Sequence, residues 1–237
     1  MKILAISTDQ MREVDRLMIE VFGIQLKQMM ENAGLNLASL ARSRYLGGNP
    51  SGRRIIVLAG SGGNGGGGLV AARRLQIWGA QVEIILTKPS NGLRGVSSDQ
   101  LKILQTMGVP IQTVTDVDTL PQADLLLDAV IGYSLSGAPR GAAAKLIELA
   151  NQHQAPILSL DTPSGLDTSS GQAHQPHIQA DATLTLALPK IGLMKEPARK
   201  IVGELYLADI SVPAELYEEM GLDVGPIFAE DTIIKIY

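Results

Sequence analysis

Near the start of the chain, apolar residues at Met11, Val14, Leu17, Met18 and Val21 recur at helical spacing, with Thr8 or Asp9 placed to cap the helix and Gly23 to stop it. A second helical pattern through Leu26, Met29, Met30, Ala33, Leu37 and Leu40 ends near the break Gly47-Gly48-Asn49-Pro50. The two predict an N-terminal helical lead-in, and the methionine-rich stripe reads as core packing. From Arg54 the pattern changes. RIIVLA, LVAARRLQIWG, VEIILT and a helix through Leu101, Leu104 and Met107 alternate short β-branched runs with helical ones, the mark of repeated β-α-β units. ADLLLDAVIG, APILSLD and DATLTLAL are apolar almost throughout, which predicts strands buried on both faces. Helices must then cover both sides of a mostly parallel sheet, giving an α/β fold. No linker or low-complexity tract divides residues 1–237, so a single domain is expected. The stretch after Pro213, with Pro226 and the ending IIKIY, carries no readable role.

Composition narrows the function classes. A hydrophobic fraction of 45% with 19% charged residues belongs to a chain that folds alone. With 20 basic against 24 acidic side chains, no broad positive field exists to attract nucleic acid. The absence of cysteine excludes disulfides, thiolate catalysis and cysteine-based zinc sites, and fits a reducing cytoplasm. The N-terminus turns charged and amphipathic with no small-residue cleavage site, so no signal peptide is read. Apolar runs such as IIVLAG fall far short of the roughly 20 residues that span a membrane.

Three polar loops follow apolar strands, where a parallel sheet presents its ligand sites. The first, Gly60-Ser61-Gly62-Gly63-Asn64-Gly65-Gly66-Gly67-Gly68, holds seven glycines in nine positions. So many glycines cost backbone entropy that a plain turn does not require, and they let main-chain amides and a helix N-terminus approach a phosphate. Gly60, Gly62 and Gly65 also satisfy G-x-G-x-x-G literally. The acidic residue expected for a ribose is missing, however, since VEIILT runs into Thr87 and Lys88, which weakens a dehydrogenase reading. Lys88 could still face a 2′-phosphate in an NADP-dependent oxidoreductase. Leu69 and Val70 stand where a P-loop needs lysine and a hydroxyl residue. The second loop starts at Asp128 in LLLDAVIGYSLSG, and the third is Asp161-Thr162-Pro163-Ser164-Gly165-Leu166-Asp167. Asp161 could act as a general acid and base or simply form a turn, and Asp128 is either a functional carboxylate or an exposed strand-end aspartate that caps its loop. His153, His174 and His177 read as surface residues, Trp78 as a packing residue, and Lys190 either as a phosphate contact or as packing at a turn.

These blocks together resemble the NAD(P)HX epimerase family, also called the YjeF N-terminal domain. MREVDRLMIEVFGI, MMENAG, AGSGGNGGGGLVAARRL, DAVIGYSLSG with PRG, SLDTPSGLD, and LPKIGL followed by GELYLADISVP appear in the family's order over nearly the whole chain. The resemblance implies a Rossmann-like three-layer αβα sandwich, commonly a homodimer, that interconverts the epimers of hydrated NADH or NADPH. A separate dehydratase would act on the product. It places ligand on Gly63, Asn64, Gly65, Gly66 and Gly67 and on Gly132, Tyr133, Ser134, Leu135, Ser136, Gly137 and Ala138. Asp161 matches the ligand-contacting carboxylate, taken as the proton-transfer group, and Asn64, Asp128 and Ser164 match residues that hold a potassium ion. All three offer hard oxygen donors. Where the family usually reads N-N-G-G-D-G, this chain has glycine at positions 63 and 67, and Thr162 replaces an aliphatic residue. Those departures leave a second reading open, a non-catalytic module that binds nucleotide or an ADP-ribose-like ligand.

Overall fold

A computed structural model describes residues 3–237. The lead-in is two helices, α1 (Thr8–Glu20) and α2 (Leu26–Arg44). Ser7, not Thr8 or Asp9, caps α1. Its Oγ accepts from the Gln10 amide at 3.1 Å while Gln10 Oε1 accepts from the Ser7 amide at 2.8 Å, a reciprocal box that needs a glutamine three residues on. Thr8 spends its hydroxyl elsewhere, on Thr168 at 3.0 Å and Ser169 at 2.6 Å. The α1 stripe buries Met11, Val14, Leu17 and Met18 as its spacing requires, but Val21, past the helix end, is exposed.

Eight strands then form one sheet: β1 (Arg54–Ala59), β2 (Gln81–Leu86), β3 (Ile111–Thr113), β4 (Leu125–Ala129), β5 (Ile157–Leu160), β6 (Ala182–Leu186), β7 (Glu204–Ala208) and β8 (Ile233–Lys235). Their order is β3-β2-β1-β4-β5-β6-β7-β8, parallel except for β8. The intervening helices are α3 (Gly63–Ile77), α4 (Gly95–Thr106), α5 (Gly141–Gln152), α6 (Glu196–Val202) and α7 (Ala214–Glu219). Alternate strand residues feed two cores. Ile55, Val57, Ala59 and Ile84 pack beneath α2, α3 and α4, and Ile56, Leu58 and Leu126 pack beneath α5. The central strands are therefore apolar on both faces, and each fully buried leucine or isoleucine stabilises the fold by about 1.5–3 kcal/mol. This is the expected three-layer α/β sandwich.

The tail after Pro213 has a structural role that its sequence concealed. β8 pairs antiparallel with β7 (Tyr206↔Lys235, Ala208↔Ile233) and covers what would otherwise be an open parallel edge. Glu204 ties it down, accepting from Lys235 Nζ at 2.9 Å and from Arg44 Nε of α2 at 2.9 Å.

The strand order reverses between β1 and β4, where chains leave the sheet in opposite directions and open a crevice at the carboxyl ends. Ala59 pairs with Ala129 and Asp128 with Ser159, so the loops after β1, β4 and β5 emerge side by side.

Candidate functional site

The three loops do meet. A cavity of about 300 Å³ is lined by Gly62, Gly63, Asn64 and Gly67 from the first, by the segment Val130–Ser134 from the second and by Asp161 from the third. Its outer wall comes from the lead-in helices, through Met11, Asp15, Leu26, Met29, Met30 and Ala33. The methionine stripe is thus both core and cavity wall.

The glycine run divides into a short turn and a helix. Helix α3 begins at Gly63 with Gly62 as its N-cap, so Gly66 already spends its amide on Gly62 O at 3.1 Å. The amides of Gly63, Asn64 and Gly65 are left without helical partners and point out of the helix start. Gly65 is glycine because a methyl there would overlap the Gly60 carbonyl, and at Gly67 one would stand 2.7 Å from Leu160 Cδ2. Those glycines let α3 lie close on the sheet. Gly65 and Gly66 are buried outside the cavity wall, and the segment from Leu135 to Ala138 runs on beyond it.

Asp128 lies below the cavity floor with no exposed surface. Its two oxygens accept from the Val130 amide at 3.2 Å, Ser159 Oγ at 2.8 Å, the Ser164 amide at 2.9 Å and Ser164 Oγ at 2.6 Å. Burial pushes its carboxyl above the usual range, against the pull of these hydrogen bonds. None of the four donors is a cationic side chain. Ser164 Oγ also accepts from the Ile131 amide at 2.9 Å. Next along that strand of chain, a methyl at Gly132 would stand 3.2 Å from Asn64 Oδ1 and 3.1 Å from Asp161 Oδ2. Among the described residues, the buried Asn64 Nδ2 has no hydrogen-bond partner.

Asp161 follows β5 with a left-handed backbone, φ +67°, which a short polar residue tolerates and which here turns the carboxylate inward. It is 3% exposed. Lys190 Nζ donates to its Oδ1 at 2.6 Å and the Tyr133 amide to its Oδ2 at 2.8 Å. Lys190 is itself fully buried, and its ammonium also bonds Thr185 Oγ1 at 3.2 Å and Leu186 O at 2.9 Å. Lys190 is packed at a turn, the second of its two anticipated roles, and it is also the counter-ion of Asp161, which neither role foresaw. A buried charge pair of this kind persists because its remaining donors and acceptors are satisfied. Thr162, beside it, buries a hydroxyl that has no partner among the described residues.

Asp15 was missed. It sits four residues after Met11 and three before Met18, on the apolar face of α1, and that placement was the available signal. Its Oδ2 accepts from Tyr133 Oη at 2.5 Å. Burial pushes the Asp15 carboxyl up, and burial together with Asp15 raises the Tyr133 phenol. The three histidines are half-buried, not exposed, and neither they nor Lys88 form part of the cavity wall. Trp78 packs against the core, with the Arg42 guanidinium 4.3 Å above its ring.

A parallel sheet whose cavity opens at the strand-order switch, with a helix N-terminus and a buried ionic pair facing it, defines the class of Rossmann-like α/β proteins that bind nucleotide-type ligands. Within that class the chain belongs to the family described as YjeF-related protein N-terminus, whose model matches residues 26–192. It is 44% identical over 217 residues to the NAD(P)H-hydrate epimerase of Dehalogenimonas lykanthroporepellens, covering 92% of this chain and 86% of that one. The NAD(P)H-hydrate epimerase of Rhodopirellula baltica is 33% identical, with 90% and 86% covered. The Bifunctional NAD(P)H-hydrate repair enzyme Nnr of Moorella thermoacetica is 36% identical, and the match spans 89% of this chain but 41% of that longer protein. The crystal structure of yeast ynu0 superposes with a TM-score of 0.83 at 25% identity, covering 98% of this chain and all of the other.

Proposed function

We propose that this chain is an NAD(P)H-hydrate epimerase, which interconverts the R and S forms of NADH or NADPH bearing a hydroxyl on the reduced nicotinamide ring. The observation that carries the reading is Asp161, buried and ion-paired to Lys190 at 2.6 Å beside the start of α3, in a chain 44% identical to a protein named for that reaction. The free amides at the start of α3 receive the ligand's diphosphate. The apolar wall of Leu26, Met29 and Met30 shelters the ring from water. The ring nitrogen's lone pair expels the hydroxyl from the adjacent carbon, and the planar cation left behind takes up water on either face. Asp161 accepts the proton of the incoming water and, in the reverse sense, protonates the departing hydroxyl. Lys190 neutralises the Asp161 carboxylate before the proton moves, and when Asp161 takes the proton the ring cation has been discharged, so the total charge of the site does not change.

Asn64, Asp128 and Ser164 fit a potassium ion in donor chemistry. All three present oxygen, and Asp128 is a fully buried carboxylate with no cationic side chain among its donors. Bound there, potassium would supply a fixed positive charge near the diphosphate. The reading also carries a homodimer, a reducing cytoplasm and a separate dehydratase that consumes one epimer. It is tested by following one pure epimer of hydrated NADH chromatographically with the purified protein in potassium and in sodium buffer. Equilibration well above the buffer rate, slower in sodium, is expected; a rate equal to the buffer blank overturns the reading.

A further inference from the structure

Two carboxyl groups line the cavity, and they stand at the two ends of one residue. Tyr133 gives its amide to Asp161 at 2.8 Å and its hydroxyl to Asp15 at 2.5 Å. Their surroundings differ in kind. Asp161 has an ammonium at 2.6 Å, whereas Asp15 has a neutral phenol and comes from the helical wall, not from the sheet. A pair of carboxyls with contrasting environments is how enzymes divide acid from base work. Thr168 Oγ1 holds the Tyr133 carbonyl at 3.2 Å, so the residue between them is fixed at three points.

Epimerisation through a planar cation loses hydroxyl from one face of the ring and gains water on the other. Asp161 is held by Lys190 and by the Tyr133 amide, and a carboxylate so fixed reaches one face of a ring bound in one pose. Resting on the epimerase reading, we propose that Asp15 is a second catalytic carboxyl, serving the ring face opposite Asp161. In one direction the C–O bond breaks with its electron pair leaving on oxygen, Asp15 gives that oxygen its proton, and the ring nitrogen's lone pair forms the C=N bond. Water then adds an oxygen lone pair to the same carbon from the other side, the C=N pair returns to nitrogen, and Asp161 takes the water's proton. One water leaves, one enters, and one proton passes from Asp15 to Asp161, to be returned through solvent. The reverse direction exchanges the two roles. Inverting glycosidases place a carboxyl on each side of a sugar ring in the same way, with about 6.5–9.5 Å between them.

Oxygen-18 exchange separates the faces. Each pure epimer of hydrated NADH is incubated in labelled water with wild type, Asp15→Asn and Asp161→Asn, and both label uptake and epimerisation are read. The amide oxygen of Asp15→Asn still accepts the Tyr133 hydroxyl, so the wall stays in place. Epimerisation by Asp15→Asn should fall about 100-fold or more, while one epimer continues to exchange its oxygen and the other stops; Asp161→Asn should show the opposite preference. Asp15→Glu, which returns a carboxyl, should recover at least about tenfold over Asp15→Asn. Loss of exchange from both epimers in Asp15→Asn, unchanged epimerisation, or no recovery by Asp15→Glu overturns the second-carboxyl role and leaves the epimerase reading standing. A wild-type protein that neither exchanges nor epimerises overturns both.

Discussion

Lys190→Met removes the one cation paired with Asp161 among the described residues. The side chain is fully buried and its three hydrogen bonds go to Asp161, Thr185 and Leu186. Methionine fills most of the volume, so the loss is electrostatic more than steric. Asp161, 3% exposed, is left as a buried carboxylate with one amide donor, Tyr133, for compensation. Breaking one half of a buried pair costs about 3–5 kcal/mol, which at about 2–4 °C per kcal/mol for a domain of this size lowers the melting temperature by roughly 6–20 °C. Urea denaturation gives the free energy and calorimetry the temperature. The double variant Lys190→Met/Asp161→Asn removes both charges and should regain most of the lost stability, a coupling that independent sites would not show. A single-variant cost below about 1 kcal/mol, or a double variant no more stable than Lys190→Met, would refute the buried-pair account.

The glycine run and the sheet edge give two further tests. Gly65→Ala forces a methyl into the Gly60 carbonyl, while Gly63 has open space around its missing side chain. Gly65→Ala should therefore destabilise by at least about 3 kcal/mol in urea titrations and Gly63→Ala by less than about 0.5 kcal/mol. Similar values for the two would contradict the close packing of α3. At the edge, the Arg44, Lys235 and Tyr206 side chains hold Glu204 down at about 2, from an ordinary 4.5. A carboxyl whose folded value is depressed stabilises fully above the unfolded value, and this contribution is lost as pH falls from about 4.5 to about 2. With Glu204 still partly open to solvent, the discounted effect is about 1 kcal/mol. Glu204→Gln should lower stability by that amount at neutral pH and by nothing near pH 2, and a difference that persists at pH 2 would refute the assignment.

The central fold was legible because its strands are buried twice. RIIVLA, LLLDA and ILSL carry no alternation to mistake for a surface sheet. The two three-residue edge strands, Ile111–Thr113 and Ile233–Lys235, were not legible, since pairing by neighbours and not local apolarity makes them. Helix propensity argued that Gly63–Gly68 is a loop, yet close packing against Gly60, Leu160 and Ala129 overrides a cost of about 1 kcal/mol per glycine. The convergence of the three loops followed from strand burial alone, whereas the counter-ion did not. Lys190 meets Asp161 across 29 residues and two strand ends, and no local spacing announces that contact. Asp15 is the opposite case, a carboxylate on an apolar helical face whose position was itself the clue.

The claim on which the rest depends is that one buried aspartate moves protons in this cavity. It is tested most directly by comparing the equilibration rate of a pure hydrate epimer in wild type and Asp161→Asn at matched ligand occupancy. Asp161→Asn should lose about 100- to 10,000-fold in rate with ligand still bound. An unchanged rate across the tested pH range would contradict the account.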